Sequence, residues 1–396
     1  MRNLFLITLF LTCSLKPLQG QSTIDHSVLA EIKKKAKETH SDAVIILQKG
    51  ELIYEDYFGQ EEKPIYISSA GKSLLSLAIG KLLDKKLLDS LDQPVHTIFS
   101  QWKQGRKKEI TVRMLLNHTS GIQNELNASI ELEPAPDYKV DNIIELALSA
   151  ELSHIPGETQ MYNNKATALL GGIVQKLSGK RFDHFFLDEF YKPMGISHYD
   201  WIKDRAGNPT THGAFVIKPS DFLKFGSLML NEGVYNGKRI IPNTWIQESL
   251  KQGHDLSPYW GLLWWRLPKY EKRIIDEDIW TSWKEADVDQ GFLNKMQALK
   301  AKMFESKYEF YEALEEKLGP NWNAILKQKL PPPLLSSKRI YSDKVVAYYA
   351  DGYRGNYLVI VPASDIIAVR CADHDGFNYA TDTFADFVDL VSRLGD

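Results

Sequence analysis

The sequence contains very little cysteine. Its 396 residues include two cysteines, Cys13 and Cys371, and Cys13 lies in an N-terminal stretch that we expect to be processed. A mature chain left with Cys371 alone cannot form an internal disulfide or hold zinc through paired cysteines. Because a chain of this length buries a large apolar core, it does not depend on such crosslinks for its stability.

No charge of one sign dominates the sequence either. The chain carries 48 Lys and Arg against 51 Asp and Glu, which leaves a formal net charge of -3. This balance argues against a protein that binds nucleic acid or an anionic membrane surface through a basic patch. The sequence also lacks the glycine-rich motifs of nucleotide-binding loops and the His-Glu-x-x-His motif of zinc hydrolases, so we expect neither an organic cofactor nor a metal ion.

Long hydrophobic runs are absent after the N-terminal region, so the sequence predicts no membrane-spanning helix. Residues 1–20 are typical of a secretory signal peptide, with Arg2 followed by the apolar stretch Leu4 to Leu11 and a cleavage site after Gly20. A second hypothesis is that Cys13 becomes a lipid-modified N-terminal residue. In either case we expect an exported protein, periplasmic or extracellular.

Hydrophobic periodicity predicts the order of the secondary structure. The predicted elements are, in chain order, a helix at 25–39, a β-hairpin at 43–54, an apolar helix at 68–85, a mostly helical block to about 204, a helix at 221–230, strands at 344–349, 357–361 and 366–371, and a helix at 381–394. They predict an α/β fold of the α+β type, in which an antiparallel sheet is flanked by N- and C-terminal helices and a second lobe is all helical.

The same pattern divides the chain into parts. After the signal peptide we expect an α/β sandwich domain made of 21–68 and 205–396, and a mainly helical lobe at 69–204. Residues 270–335 are charged and amphipathic, and we interpret them as a helical insertion on the sandwich. This insertion could cover the cleft between the lobes or join copies of the chain into an oligomer.

The first candidate for chemistry is Ser69 together with Lys72, three residues further along the predicted apolar helix. Residues three apart share a helix face, so the amine is expected beside the hydroxyl. A serine hydroxyl needs a neighbour to remove its proton, and a lysine shielded from water can be neutral enough to do so. Taken alone, the motif more often marks a capping serine and a surface lysine, but the apolar helix favours a buried Lys72.

A second candidate follows 93 residues beyond Ser69, where Tyr162 and Asn164 precede another apolar helix. A tyrosine in this place can relay a proton to a leaving group, and Asn164 can hold Lys72 or a substrate amide. His118 lies in a turn, and we interpret it as a structural residue rather than a catalytic base.

The Ser69-x-x-Lys72 and Tyr162-x-Asn164 motifs resemble the first two active-site motifs of the penicillin-recognising serine hydrolases. The subgroup that they resemble comprises class C β-lactamases, D-amino-acid peptidases and esterases. Further stretches that are similar to this family are Ile110–Gly121, Leu169–Gly179, Pro193–Ile196 and Asn231–Ile240. The resemblance covers about residues 40–265 and 340–390, and it implies a β-lactamase/transpeptidase-like fold that performs acyl transfer through a serine.

The third motif of that family is a strand with Lys-Thr-Gly or His-x-Gly, and residues 351–356 correspond to it here. The resemblance implies that Gly355 lets the substrate lie close to the strand backbone. It also implies that the backbone N–H of Asn356 joins that of Ser69 in an oxyanion hole.

The sequence departs from the family at Tyr353, where its relatives have the Lys or His that helps to bind a substrate carboxylate. Arg354 could supply another anion contact or could face away.

Residues 352–362 resemble the branch that includes 6-aminohexanoate-dimer hydrolase, which cleaves amides and small esters. An aromatic cleft rim, with core packing as the alternative, is expected from Trp260, Trp264 and Trp265.

We therefore expect an exported serine hydrolase that cleaves an amide or ester bond of a small-molecule substrate. The expected catalytic residues are Ser69, Lys72 and Tyr162, and the expected substrate-binding residues are Asn164, Tyr353, Arg354, Gly355 and Asn356. Two alternatives stay open. One is a β-lactamase or D-amino-acid peptidase acting on cell-wall-type substrates, and the other is a sensor or binding protein that kept the fold and lost turnover.

Overall fold

The structure, a computed structural model, describes residues 24–124, 140–197, 199–213, 215–331 and 333–395. The predicted signal peptide and Cys13 lie outside these residues. Within them, no helix is both long enough and apolar enough to cross a membrane.

The strands of the described residues are β1 Ala43–Gln48, β2 Glu51–Asp56, β3 Ile65–Tyr66, β4 Tyr199–Trp201, β5 Phe215–Ile217, β6 Val234–Tyr235, β7 Lys238–Arg239, β8 Trp265–Pro268, β9 Glu271–Ile274, β10 Met303–Phe304, β11 Lys338–Tyr341, β12 Val345–Gly352, β13 Asn356–Val361 and β14 Ile366–Cys371. The α-helices are α1 His26–Glu38, α2 Gly71–Asp84, α3 Val112–Leu116, α4 Ile143–Ser149, α5 Asn164–Ser178, α6 Phe182–Phe186, α7 Pro219–Leu230, α8 Asn243–Leu250, α9 Glu277–Glu285, α10 Gln290–Met296, α11 Lys307–Leu318, α12 Trp322–Lys329, α13 Tyr379–Asp382 and α14 Phe387–Arg393.

A six-stranded antiparallel sheet, in the order β2-β1-β14-β13-β12-β8, forms the centre of the α/β part. Successive side chains of a strand point to opposite faces. In β14, Ile367 and Val369 belong to the core shared with the helical lobe, whereas Ile366 and Ala368 belong to the core under α1 and α14. Both faces are covered, and the predicted antiparallel sheet with flanking terminal helices is confirmed.

The helical lobe is built around α2, which packs against α5. Eleven of the 14 residues of α2 are buried, so this helix runs through the interior, as its apolar sequence predicts. A small sheet in the order β3-β5-β4 lies where the two parts of the chain join. The segment from β3 into α2 therefore starts in a sheet and ends inside the helical lobe.

The insertion differs from the purely helical segment that the sequence pattern predicted. It contains α9 to α12, but it also has its own sheet in the order β10-β9-β11. Strands β9 and β11 pair with each other just beyond the paired strands β8 and β12 of the central sheet. A separate apolar core, which includes Trp280, Trp283 and Phe310, holds the insertion together. Short charged strands of this kind have no clear two-residue periodicity, which is why the pattern missed them.

The predicted C-terminal helix at 381–394 is interrupted, and this prediction was wrong in its first turn. The chain forms the short α13, leaves the helical path, and forms α14. The side chain of Phe384 in the interruption is buried in the core under α1 and α14. Asp386 lies within 2.5 Å of Lys35 on α1. These contacts hold the interruption in place.

Arg370 on β14 is a fully buried cation that joins distant parts of the chain. Its guanidinium donates hydrogen bonds to the hydroxyl of Ser41 and to the backbone carbonyls of Thr39, Arg354, Gly355 and Asp382. Arg has five N–H donors in a fixed planar arrangement, which matches this set of acceptors. The interaction ties the turn between β12 and β13 to the end of α1 and to the C-terminal segment.

We predict that Arg370→Lys lowers the free energy of unfolding by about 2–4 kcal/mol. An ammonium group has three donors and a different geometry, so buried carbonyls lose their partners. Urea unfolding followed by tryptophan fluorescence measures the loss. Arg393→Lys, at an exposed position on α14, is the matched control and should change stability by less than about 0.5 kcal/mol. A loss at Arg370 no larger than this control would contradict the prediction.

Candidate active site

Ser69 lies on the sharp turn that leads from β3 into α2. The residue before it, Ser68, adopts a left-handed backbone with φ 51°, which is uncommon for a residue other than glycine. Such strained positions persist only where the surrounding structure holds them, and they cluster at functional sites. Residues Ser68–Ala70 form a short helical turn that continues directly into α2.

Lys72 lies one turn further along and is almost entirely buried, with 3% of its surface exposed. Its Nζ is 2.9 Å from Ser69 Oγ and also donates a hydrogen bond to the backbone carbonyl of His212. A buried amine is expensive unless it has such partners. The helix therefore presents the amine to the serine hydroxyl, as the three-residue spacing predicted.

Tyr162 lies two residues before the start of α5 and approaches the same serine. Its hydroxyl donates a hydrogen bond to Ser69 Oγ at 2.8 Å. The ring of Tyr162 lies close to Lys72, with 4.8 Å between Nζ and the ring centroid. The structure thus brings together in one site a hydroxyl, an amine and a phenol that lie far apart in the sequence.

His118 holds the Tyr162 segment in place. The backbone N–H of Met161 donates to the His118 carbonyl at 2.8 Å, and the N–H of Asn163 donates to His118 Nδ1 at 3.2 Å. Burial, with a smaller effect of the nearby Lys72, lowers the pKa of His118 to about 3, so its ring is neutral. Since Nδ1 accepts a hydrogen bond, the proton is on Nε2. The backbone carbonyl of His118 thus holds the residue before Tyr162, and its ring holds the residue after it.

The hairpin between β12 and β13 closes the site opposite Ser69. At Gly352 a Cβ atom would lie 2.2 Å from the carbonyl oxygen of Ile67 and 3.0 Å from the nitrogen of Ala70, so no larger residue fits there. Gly355, the glycine singled out in the sequence, lies in the turn with φ 71°. Both glycines line the space in front of the serine, but Gly352 is the one whose backbone touches the segment that carries it.

Tyr353 and Arg354 form the tip of the same turn. Tyr353 is 60% exposed, and its ring stacks on that of Tyr379 at a centroid distance of 5.8 Å. The guanidinium of Arg354 is 2.9 Å from the carboxylate of Asp373. The charge of Arg354 is therefore largely balanced within the protein, even though this residue lines the site.

Asn356 and Asn164 are buried beside the site. The amide of Asn356 donates to the carbonyl of Tyr353 at 2.8 Å and accepts from the N–H of Ala372 at 2.8 Å, so it braces the turn. The backbone N–H of Asn164 donates to the side chain of Asn124 at 2.9 Å. Asn356 does not form part of the wall of the cavity in front of Ser69.

A cavity of about 240 Å³ lies in front of Ser69 and Tyr162. Its walls include the rings of Trp265, Tyr353, Tyr357 and Tyr379 and the charged groups of Asp351 and Arg354. A second cavity, with room for about one water molecule, adjoins Ser69 on the side of Lys72, His118 and Trp260, and Asp351 also borders it.

Asp351 is the charged residue that sequence reasoning did not assign to the site. It lies at the end of β12, and burial raises the pKa of Asp351 from its ordinary value of 3.8 to about 7. Tyr379, on the short α13, was also missed. Asp351 lies within the stretch matched to the third motif, so its position could have assigned it to the site. Nothing in the local sequence pattern indicates that Tyr379 lies there.

The tryptophans and the insertion complete the surroundings of the site. Trp260 and Trp265 border the cavities, with ring centroids 3.8 Å apart, whereas Trp264 is fully buried in the core. No described residue of the insertion lines either cavity. Across the described ranges, no group of three or more His, Cys, Asp or Glu side chains could hold a metal ion.

Comparison with known proteins places most of the chain in one family. Residues 29–383 match the family described as Beta-lactamase. A Bacteroides dorei DSM 17855 protein ascribed to the beta-lactamases superposes with a TM-score of 0.62 over 94% of this chain and 99% of its own, at 19% identity. A Bacillus anthracis protein ascribed to the 6-aminohexanoate-dimer hydrolases superposes with a TM-score of 0.58 over 86% of this chain and 76% of its own, at 17% identity. At these identities the likeness shows the fold alone.

The curated relatives match a shorter part of the chain. PbpX of Bacillus subtilis (strain 168), which is ascribed to the penicillin-binding proteins, is 25% identical over 179 residues, 43% of this chain and 43% of its own length. The chain therefore matches less than half the length of this relative. The family match and the superpositions confirm the fold that the motifs predicted, and the chain belongs to the beta-lactamase family of serine hydrolases.

Proposed function

We propose that the protein is an exported serine hydrolase that cleaves an amide or ester bond through a covalent acyl-serine intermediate. The observation that carries this proposal is the convergence of Lys72 Nζ and the Tyr162 hydroxyl on Ser69 Oγ. A nucleophile within hydrogen-bonding distance of a base and of a proton relay is the arrangement that acyl transfer requires. Export through residues 1–20 is part of the same proposal and rests on the sequence pattern.

Acylation begins when Ser69 Oγ attacks the substrate carbonyl and its proton passes to Lys72. This step requires the neutral form of the Lys72 amine. As the bond to the leaving group breaks, Tyr162 donates its proton to that group and regains one from Lys72. Water then attacks the acyl-serine, its proton returns through the same groups, and the acid product leaves with Ser69 restored.

The negative charge that develops on the carbonyl oxygen needs backbone donors. The N–H of Ser69 is one proposed donor, and the N–H of Asn356 stays the proposed second donor. The close approach of Gly352 to the serine segment supports a donor from this hairpin. Loss of one such donor typically costs about 3–4 kcal/mol of transition-state stabilisation.

The walls of the cavity support a small, weakly charged acyl substrate. Aromatic rings form much of the surface, and Tyr353 stands where the family resemblance leads us to expect a cation. Arg354 is already paired with Asp373, so it is a weak substitute for that cation.

The second candidate function, that of a β-lactamase or D-amino-acid peptidase, is favoured by the family name and by the relatives. Assembly of copies through the insertion stays a separate prediction.

The first prediction concerns the three side chains at the centre of the site. A fluorophosphonate probe should add to Ser69, and mass spectrometry of peptides should locate the adduct there. Ser69→Ala should abolish labelling, and Lys72→Ala and Tyr162→Phe should lower kcat/KM for an ester by about 10²–10⁴-fold. Ser76→Ala, about two helical turns beyond Ser69 and also buried, is the matched control and should leave labelling unchanged.

A label on any residue other than Ser69, or full activity of the Lys72 variant, would show that the proposed mechanism is wrong. Circular dichroism of each variant separates a loss of chemistry from a loss of folding.

The second prediction concerns the substrate class. We expect p-nitrophenyl butyrate to be turned over at least about 100-fold faster than a chromogenic cephalosporin, because the cavity offers little free positive charge to a β-lactam carboxylate. Comparable cephalosporin turnover that Ser69→Ala abolishes would favour the β-lactamase alternative. A stable acyl-enzyme that forms with both compounds and releases neither would favour the sensor alternative.

The third prediction concerns the stability of the folded protein. Because the pKa of Asp351 is raised, the folded state binds its proton more tightly than the unfolded state, and stability falls as pH rises from about 4 to about 7. Asp351→Asn should therefore raise the free energy of unfolding by about 1–2 kcal/mol at pH 8 and change it little at pH 4. Urea unfolding at both pH values tests this, and a stabilisation that is equal at pH 4 and pH 8 would contradict it.

A further inference from the structure

Asp351 is a titratable residue in the wall of the cavity that also contains the nucleophile. It pairs with Tyr357 across the hairpin, at the end of β12 that approaches Ser69. It lines both the larger cavity in front of Ser69 and the small cavity behind it. The proposed acyl-transfer mechanism does not use this side chain, so its presence in the wall needs another explanation.

The charge of Asp351 is not balanced by the groups around it. Among the described residues, burial raises the pKa of Asp351, and no cation or hydrogen-bond donor acts to lower it. Arg354, the cation in the wall of the larger cavity, is paired with Asp373. Lys72 borders the small cavity, but its Nζ is bonded to Ser69 and to the His212 carbonyl.

The remaining walls suit a cation as well. Trp265, Tyr353, Tyr357 and Tyr379 surround the cavity that Asp351 lines. Aromatic faces attract ammonium groups, most strongly where water is partly excluded. A carboxylate within an aromatic enclosure is a suitable binding site for a protonated amine and an unfavourable one for an anion.

We propose that Asp351 is a specificity-determining residue that selects substrates carrying a protonated amine close to the scissile carbonyl. The chemical class is an amide or ester with an organic ammonium group within a few ångströms of the reacting carbon. The same carboxylate disfavours substrates that carry a carboxylate at that position. This proposal rests on the proposed function, because it concerns selection at the same serine.

A different role for Asp351 would have a different signature. If it acted through Lys72 across the small cavity, its removal would change the reaction of every substrate by the same factor. Selection of an ammonium group predicts instead that its removal changes the preference among substrates of different charge. The experiment therefore compares probes that differ in charge alone.

Three fluorophosphonates with alkyl tails of equal length, ending in an ammonium, a methyl or a carboxylate group, are reacted with the mature full-length protein. The second-order rate of adduct formation on Ser69 is measured by intact-protein mass spectrometry, which does not require turnover. Each rate is divided by the rate at which the same probe hydrolyses in buffer without protein, so that intrinsic reactivity is removed, and Ser69→Ala reports any labelling at other residues. We expect the wild type to react about tenfold faster with the ammonium probe than with the methyl probe, and about tenfold slower with the carboxylate probe.

Asp351→Asn should bring the three rates within about twofold of one another. Asp278→Asn removes the same charge from an exposed position in the insertion and should keep the wild-type order. Equal rates for the three probes on the wild type would overturn the proposal and leave the proposed function intact, and this comparison does not depend on any variant folding. An equal slowing of all three probes by Asp351→Asn would overturn it in favour of action through Lys72. No adduct on Ser69 with any probe would remove the proposed function and this proposal with it.

Discussion

The site depends on a buried amine held against a serine hydroxyl. Lys72 is 3% exposed, and its Nζ lies 2.9 Å from Ser69 Oγ. In water this amine would be protonated and could not accept a proton from serine. Its burial inside α2 is possible because the surrounding helix is apolar and the His212 carbonyl supplies a hydrogen-bond acceptor. The position of α2 in the interior therefore does more than fill the core. It also provides the buried amine that the proposed mechanism needs.

The remaining parts of the fold keep three segments in fixed positions around that amine. His118 accepts hydrogen bonds from the backbone on either side of Tyr162, which fixes this segment beside the serine. Arg370 bonds the carbonyls of the β12–β13 turn, and Gly352 lets that hairpin approach the serine segment. Such groups set the geometry in advance, so that the reaction does not have to order them. The supporting residues come from both the helical lobe and the α/β part, which is why the site requires the whole fold.

Sequence patterns were sufficient for features that have a local period or a short motif. The apolar run of α2, the unbroken strands β13 and β14, and the spacing of Ser69 and Lys72 each express a local rule. The sheet of the insertion and the break before α14 were missed, because each depends on tertiary contacts, such as that between Lys35 and Asp386. Tyr162 was singled out by its position before an apolar helix, and the family resemblance supplied its pairing with Ser69. No periodicity indicates which distant side chains will share a cavity.

The wall of the cavity also explains why family membership does not settle the substrate. A cavity of this size holds few charged groups, so the sign of each one strongly affects which ligands bind. Here Tyr353 takes the place of an expected cation, Arg354 is paired with Asp373, and Asp351 adds a carboxylate whose burial raises its pKa. Each change acts in the same direction, away from anionic substrates. The proposed catalytic residues and the residues proposed to set the charge preference lie on different segments of the chain, so one set can change while the other is retained.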